Sequence, residues 1–358
     1  MDLSETLRSG VTVDALLKAV SASGYPTQSI TAERLRAALS RSSGPVFMQE
    51  EWSFLDGERD TVRQLDILAA KHFEIPSGFP SHSIDRPTDF RALLRYELDM
   101  FVECKKSELP YLFFLRDGAY NPTVPELHGF PHADIEYGES EDQLFVRSPV
   151  IDLLRTWEAR EPTPPVAVSV SKAHRKGGGD IELSGDEVFR GLTVPVLKAV
   201  DHFRAQVEPP ENWLYRSIRF LVPLVVLDAP MVGVTMIDGV ASLEPLESVR
   251  LTITRPQGDD HASDLNSISG VDFVCLDALD KYVDTMQDWA QVLVSRIDQF
   301  AAQVVTGKAL GDISVLLGEA DAPEPPPSAR LRPLLSKEAE AAWIGERFNA
   351  YHRSRGRD

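Results

Sequence analysis

The chain has 358 residues, 43% of them hydrophobic and 26% charged, a composition that excludes a disordered chain, a collagen-like repeat and a membrane bundle. Its 37 basic and 55 acidic residues leave a formal charge of −18. The chain as a whole therefore repels phosphate backbones and anionic lipids, and any nucleic-acid role needs a local basic patch or a metal.

At roughly 100 to 200 residues per domain, one large or two ordinary domains are expected. Cys104 and Cys275 are the only cysteines, too few for a disulfide scaffold or a cysteine-rich zinc site. With no charged-then-apolar leader and no apolar run of roughly 20 residues, the expectation is a cytoplasmic protein without a membrane span.

Val13, Leu16, Leu17 and Val20 follow helical spacing, and Gly24 and Pro26 close that helix. Thr31 then serves as the N-cap of a second helix through Leu35 and Leu39, with Glu33 in its first turn. Val46 to Phe54 and Val62 to Ala70 flank Asp56-Gly57, which predicts a β-hairpin. On its second strand, alternation sets Leu65, Ile67 and Ala69 on one face and Gln64 and Asp66 on the other.

A Pro- and Ser-rich loop is expected from Ile75 to Pro87, then a helix from Thr88 to Tyr96. In the following strand Leu98, Met100, Val102 and Cys104 take the apolar side, whereas Asp99, Glu103 and Lys105 take the polar one. Tyr111 to Leu115 reads as a strand, Asn121 to Tyr137 as irregular, and Ile151 to Trp157 as a helix. Val166, Val168 and Val170 form a strand that leads into a mobile basic loop from Lys172 to Gly179.

Val196, Val200, Phe203 and Val207 mark a further helix with Pro195 in its first turn. Strands follow at Phe220 to Leu227, Val232 to Ile237, Val249 to Thr254 and Val271 to Leu276, with Pro223 hinting at an edge or a bulge. Leu279, Val283, Met286, Ala290, Leu293, Ile297, Phe300 and Val304 make a heptad-like seam over one long amphipathic helix. That seam either packs on the domain core or forms a homodimer interface. Residues 319–333 are Ala- and Pro-rich and read as a linker. Residues 334–358 form a last helix and a basic tail, and residues 1–318 form the main domain.

Asp66 and the run Glu103-Cys104-Lys105 carry the candidate chemistry, because every charged member lies on the polar side of its strand. Two carboxylates are hard-oxygen ligands suited to Mg²⁺ or Mn²⁺, and the backbone carbonyl of Cys104 can add a third. A cation so held would polarise a scissile phosphate and acidify a water, with Lys105 orienting that water or offsetting developing charge. The Cys104 side chain, on the apolar face, reads as a small buried hydrophobe.

These residues resemble the PD-(D/E)XK, or restriction-endonuclease-like, nucleases. The carriers are the helix ending at Ser23-Gly24-Tyr25, the hairpin with Arg63-Gln64-Leu65-Asp66-Ile67, and the strand Phe101-Val102-Glu103-Cys104-Lys105-Lys106-Ser107. The resemblance covers residues 10–116. It implies a mixed β-sheet flanked by helices, Asp66 and Glu103 as metal ligands, Lys105 as the catalytic lysine, and a Mg²⁺- or Mn²⁺-dependent endonuclease acting on DNA, in a setting of restriction or anti-phage defence.

The sequence departs from the family's pattern in two places. The interval between Asp66 and Glu103 carries an added helix, and the first helix has only Asp14 where an inward glutamate belongs. A second expectation is therefore an inactive nuclease-fold subunit that docks DNA or a protein partner. The acidic charge implies weak DNA affinity without such a partner.

Other groups carry less. His128, His132 and Asp134 fall in a Gly- and Pro-containing segment with no matching second cluster, and are expected to be solvated. Lys172, His174, Arg175 and Lys176 suit phosphate contact or an ordinary exposed loop. No Gly-rich run has the Gly-Lys-Ser/Thr ending of a nucleotide P-loop.

Overall fold

A computed structural model describes residues 11–57, 60–73, 90–138, 144–150, 164–206, 214–254, 268–310 and 337–355. The expected loop at Ile75 to Pro87, the helix at Ile151 to Trp157 and the 319–333 linker lie outside the described residues.

Two helices open the described chain, α1 (Val13–Ala22) and α2 (Tyr25–Leu39). Thr12 caps α1, its hydroxyl accepting from the Ala15 amide at 3.2 Å. Gly24 caps α2 and Pro26 sits in its first turn, where a missing N–H costs no hydrogen bond. Pro26 therefore opens the second helix instead of closing the first, and Thr31, expected as a cap, is a buried mid-helix residue. α1 buries none of its side chains.

The hairpin forms as expected from β1 (Val46–Asp56) and β2 (Thr61–Phe73), paired antiparallel. The expected helix at Thr88 to Tyr96 is reduced, among its described residues, to one 3₁₀ turn at Phe90–Leu93. The long strand β3 (Leu94–Lys106) follows directly. β4 (Tyr111–Leu115), β5 (Glu126–His128), β6 (Asp134–Gly138) and β7 (Leu144–Pro149) come next, so the segment expected to be irregular holds two short strands. β8 (Val166–Arg175) turns back through β9 (Ile181–Ser184). The expected basic loop is thus largely a hairpin, and Lys176 at its turn pairs with Glu182.

α3 (Val194–Gln206), β10 (Arg216–Asp228), β11 (Met231–Ile237), β12 (Val240–Pro245), β13 (Ser248–Thr254) and β14 (Ile268–Cys275) follow. The seam helix is divided into α4 (Leu279–Gln299) and α5 (Ala301–Thr306), with a break at Phe300. β15 (Lys308–Leu310) and α6 (Lys337–Arg355) complete the order.

The main sheet is mixed, in the order β1-β2-β3-β10-β14-β13-β8-β4-β11-β12, with β5 paired to β10 and β9 to β8. A small sheet runs β15-β6-β7. Helices flank the main sheet on both faces. On one face Ala32, Leu35 and Leu39 of α2, the α4 seam and Ile344 of α6 pack over Met100, Val102 and Val222. On the other, Val196 and Val200 of α3 pack over Phe101, Leu221 and Phe273. All eight seam residues are buried in the first of these cores, each large one contributing roughly 1.5–3 kcal/mol. The seam thus packs on the domain core. α6 docks there too, with Trp343 edge-on to Phe90 at 5.2 Å.

Pro223 lies in a central strand, contrary to the edge or bulge it suggests. β10 pairs with β5 through Leu221 and with β14 only from Leu224, while its other side runs along β3. The missing N–H therefore falls where one neighbour has ended and the next has not begun.

Candidate metal and catalytic site

The site forms where the β1-β2-β3 ladder is interrupted. β2 and β3 are in register as far as Ile67 opposite Val102, so Asp66 and Glu103, though distant in sequence, take the next opposed position. On the other side of β2, Glu50 pairs with Ile67 and Trp52 with Leu65. Glu51, which faces Asp66, makes no ladder pair and has a φ of 53°, a left-handed value that non-glycine residues seldom take.

This break reverses which side chains face which core. Val46 and Met48 pack with Ile67 and Ala69 on the α2 and α4 face, whereas Trp52 and Phe54 pack with Leu65 on the α3 face. The strict alternation that puts Leu65, Ile67 and Ala69 on one side therefore fails at Asp66. The expected polar side of β3 is not a solvent face either, because Asp99 and Phe101 are both buried.

At the break, the Asp66 carboxylate takes the place of a backbone acceptor. The Cys104 amide donates to its Oδ2 at 2.7 Å, and the Gln28 side chain donates to the Asp66 carbonyl at 3.2 Å. Amide and carbonyl of one strand residue point to the same edge, so the Cys104 carbonyl also faces this gap. Asp66, Glu103, Cys104 and Lys105 all line one cleft of 760 Å³. The four residues singled out in the sequence therefore come together.

Electrostatically the cleft is short of positive charge. Burial raises the Asp66 carboxyl, and the Cys104 hydrogen bond only partly opposes that. Glu103 is pushed up to about 8 by burial first and then by the negative charge of Asp66, with Lys105 pulling the other way. Glu51 adds negative potential to both. No ion pair reaches either carboxylate among the described residues. The Cys104 thiol is raised by burial, consistent with an inert packing residue.

Sequence reasoning missed three contributors: Glu51, Gln28 and Lys18 of α1, all on the cleft wall. Gln28 left a signal, a polar residue in register with Ala32, Leu35 and Leu39 on the buried stripe of α2. Asp14, the candidate on α1, is exposed and does not line the cleft.

The other candidates stay apart. His128 belongs to β5 and Asp134 to β6, while a ring nitrogen of His132 lies 3.2 Å from the Val305 carbonyl. Among the described residues no three His, Cys, Asp or Glu side chains form a ready-made metal cage. No helix among them is long and apolar enough to cross a membrane.

Comparison of the chain with protein-family models, with curated proteins and with solved structures finds no match.

Proposed function

We propose that the protein is a Mg²⁺- or Mn²⁺-dependent nuclease of restriction-endonuclease-like type that hydrolyses phosphodiester bonds in DNA. The observation that carries the reading is the pairing of Asp66 with Glu103 across a broken ladder, with Lys105 beside them and, among the described residues, no ion pair to either carboxylate. Two carboxylate groups and a backbone carbonyl suit a hard cation that keeps several waters, so Asp66, Glu103 and the Cys104 carbonyl would hold it. A divalent cation there supplies Lewis acidity toward a phosphate oxygen and acidifies a water.

The chain's own residues do the rest. The Cys104 amide fixes one Asp66 oxygen and leaves the other toward the cleft. Glu103, raised in pKa by burial and by Asp66, would have to give up its proton to ligate a cation, so cation affinity would rise with pH. Lys105 brings a positive charge to the negative charge that develops on the reacting phosphate. The −18 charge keeps DNA affinity low for the protein alone and favours recruitment by a protein partner.

The test is cleavage of plasmid and oligonucleotide DNA with Mg²⁺ or Mn²⁺ by wild type, Asp66→Ala, Glu103→Ala and Lys105→Ala. Cleavage that disappears in all three supports the reading, and full activity in either carboxylate variant rejects it. Among the described residues no third acidic ligand clusters with the pair, which favours a second reading, a catalytically inactive docking subunit. A Mn²⁺ titration with no site dependent on Glu103 would select it.

A further inference from the structure

The walls of the cleft bear on the form of DNA it accepts, an inference that rests on the nuclease reading. One wall is the sheet end with Asp66, Glu103 and Lys105; the other is built by α1 and the start of α2, through Lys18, Ser21 and Tyr25. The 760 Å³ between them falls in the range of about 300–1,000 Å³ that encloses a small molecule. That is room for a nucleotide or two within the cleft.

Tyr25 lines this cleft and is nevertheless 61% exposed, which places an aromatic side chain at the mouth, free to stack. Its neighbour Lys18 and the opposite Lys105 and Lys106 bring positive charge to the same space. The cleft is of mixed charge, since Glu51 and Glu108 line it with the two candidate ligands and Lys106 lies 3.7 Å from Asp228. Lysines beside an aromatic platform are nevertheless the elements that hold unpaired strands, because every base offers a π-face while the cations follow the phosphates. A paired base, already stacked on both sides, gains nothing from Tyr25.

We propose that the cleft takes an unpaired DNA strand, a single strand or a frayed end, with a base stacked on Tyr25 and the adjoining phosphate carried toward Asp66 and Glu103.

The experiment is fluorescence anisotropy with the full chain in Ca²⁺, using a labelled single strand of about 15 nucleotides, matched to the largest single-strand site sizes, and the blunt duplex of the same sequence. The single strand should bind at least about tenfold more tightly. Tyr25→Ala should weaken it by roughly 5- to 100-fold, the equivalent of one lost stack at about 1–3 kcal/mol, while Tyr25→Phe stays within about twofold of wild type. Lys18→Ala should reduce the salt slope by about 0.7.

Equal or tighter duplex binding overturns the proposal, as does a Tyr25→Ala variant that still holds the single strand like wild type. Tyr25-dependent single-strand binding without Mg²⁺-dependent cleavage defeats the nuclease reading alone. Asp66-dependent duplex cleavage that ignores Tyr25 defeats this proposal alone.

Discussion

β3 carries two acidic groups of opposite character, one near each end. Toward its start, Glu97 and Asp99 are almost fully buried, and Arg219 of the adjacent β10 reaches both, at 2.8 Å from Glu97 and 3.1 Å from Asp99. Ser217 donates to Glu97 at 3.0 Å, and the His72 ring stands 3.6 Å from it. Burial still pushes Asp99 up to about 7, but its counter-charge is built in. At the other end Glu103 faces Asp66 with exposed Lys105 opposing their charge and no ion pair to either carboxylate among the described residues, and its pKa rises to about 8. Buried charge requires compensation from somewhere. The first group obtains it from the fold, and the second leaves space where a cation would supply it.

This contrast breaks if the second group turns out to be structural. Asp66→Ala should lower Mg²⁺-dependent cleavage by about 10³-fold or more, since removing one preorganised electrostatic contact to a reacting group alone costs about 10²–10³. Glu103→Ala should do the same, with thermal unfolding nearly unchanged, since no ion pair to Glu103 is lost among the described residues. Gel assay and calorimetry on the same samples decide it; a large loss of stability in either variant would put the pair with the structural ion clusters.

The opposite result is expected at the other end. Arg219→Ala leaves Asp99 buried without its partner, and a broken buried pair costs about 3–5 kcal/mol. Chemical denaturation should show that loss, while metal affinity at the Asp66 cleft changes less than about twofold. Glu103 lies about 13 Å from Asp99 and about 20 Å from Glu97 at ~3.3 Å per strand residue, and effects at such separations are usually independent.

The pH dependence sharpens the comparison further. Glu103 has a folded pKa of about 8 against an ordinary 4.5, so between those values the folded chain holds a proton that the unfolded chain has released. Its contribution to stability is therefore complete below the lower value and lost as pH rises through the upper one. Asp99, raised to about 7, acts in the same direction, so the Glu103→Gln variant isolates the first term. It should gain in melting temperature relative to wild type as pH rises from about 5 to 8.5. Mg²⁺ should stabilise wild type more at the top of that range than at the bottom, because it must displace the Glu103 proton.

The hairpin and the Glu103 strand were legible because their signals are local: Asp56-Gly57 marks where β1 ends, and apolar residues recur every second position. The face assignment on β2 was not. Leu68 and Ala70 are buried along with Ile67 and Ala69, as in any strand covered on both sides, where alternation loses its meaning. The reversal itself depends on the backbone of Glu51, and no residue type there announces a left-handed turn. Arg219 was equally silent, since its partners lie 120 residues away in sequence. The heptad spacing was real, but it fits core packing and dimerisation alike, and the core packing of Leu279 to Val304 becomes visible only in the fold. Asp66 and Glu103 were reachable because the resemblance proposed a meeting point that periodicity could not supply.

The smallest effect tests whether the break in the ladder is held in place or merely tolerated. Gln28 is 5% exposed, and its side chain holds the Asp66 backbone carbonyl from α2, so it acts on the cation only through the position of Asp66. Groups that orient a ligand in this way typically contribute about 10- to 100-fold in metal affinity, and this single neutral bond at 3.2 Å belongs at the lower end. Gln28→Leu keeps the bulk of the α2 stripe but leaves the Asp66 carbonyl without that donor, at a cost of about 1 kcal/mol in stability. Isothermal titration with Mn²⁺ should then show affinity reduced by about tenfold. Unchanged Mn²⁺ affinity in Gln28→Leu would mean that the Cys104 amide alone fixes Asp66, and that α2 contributes packing and not position.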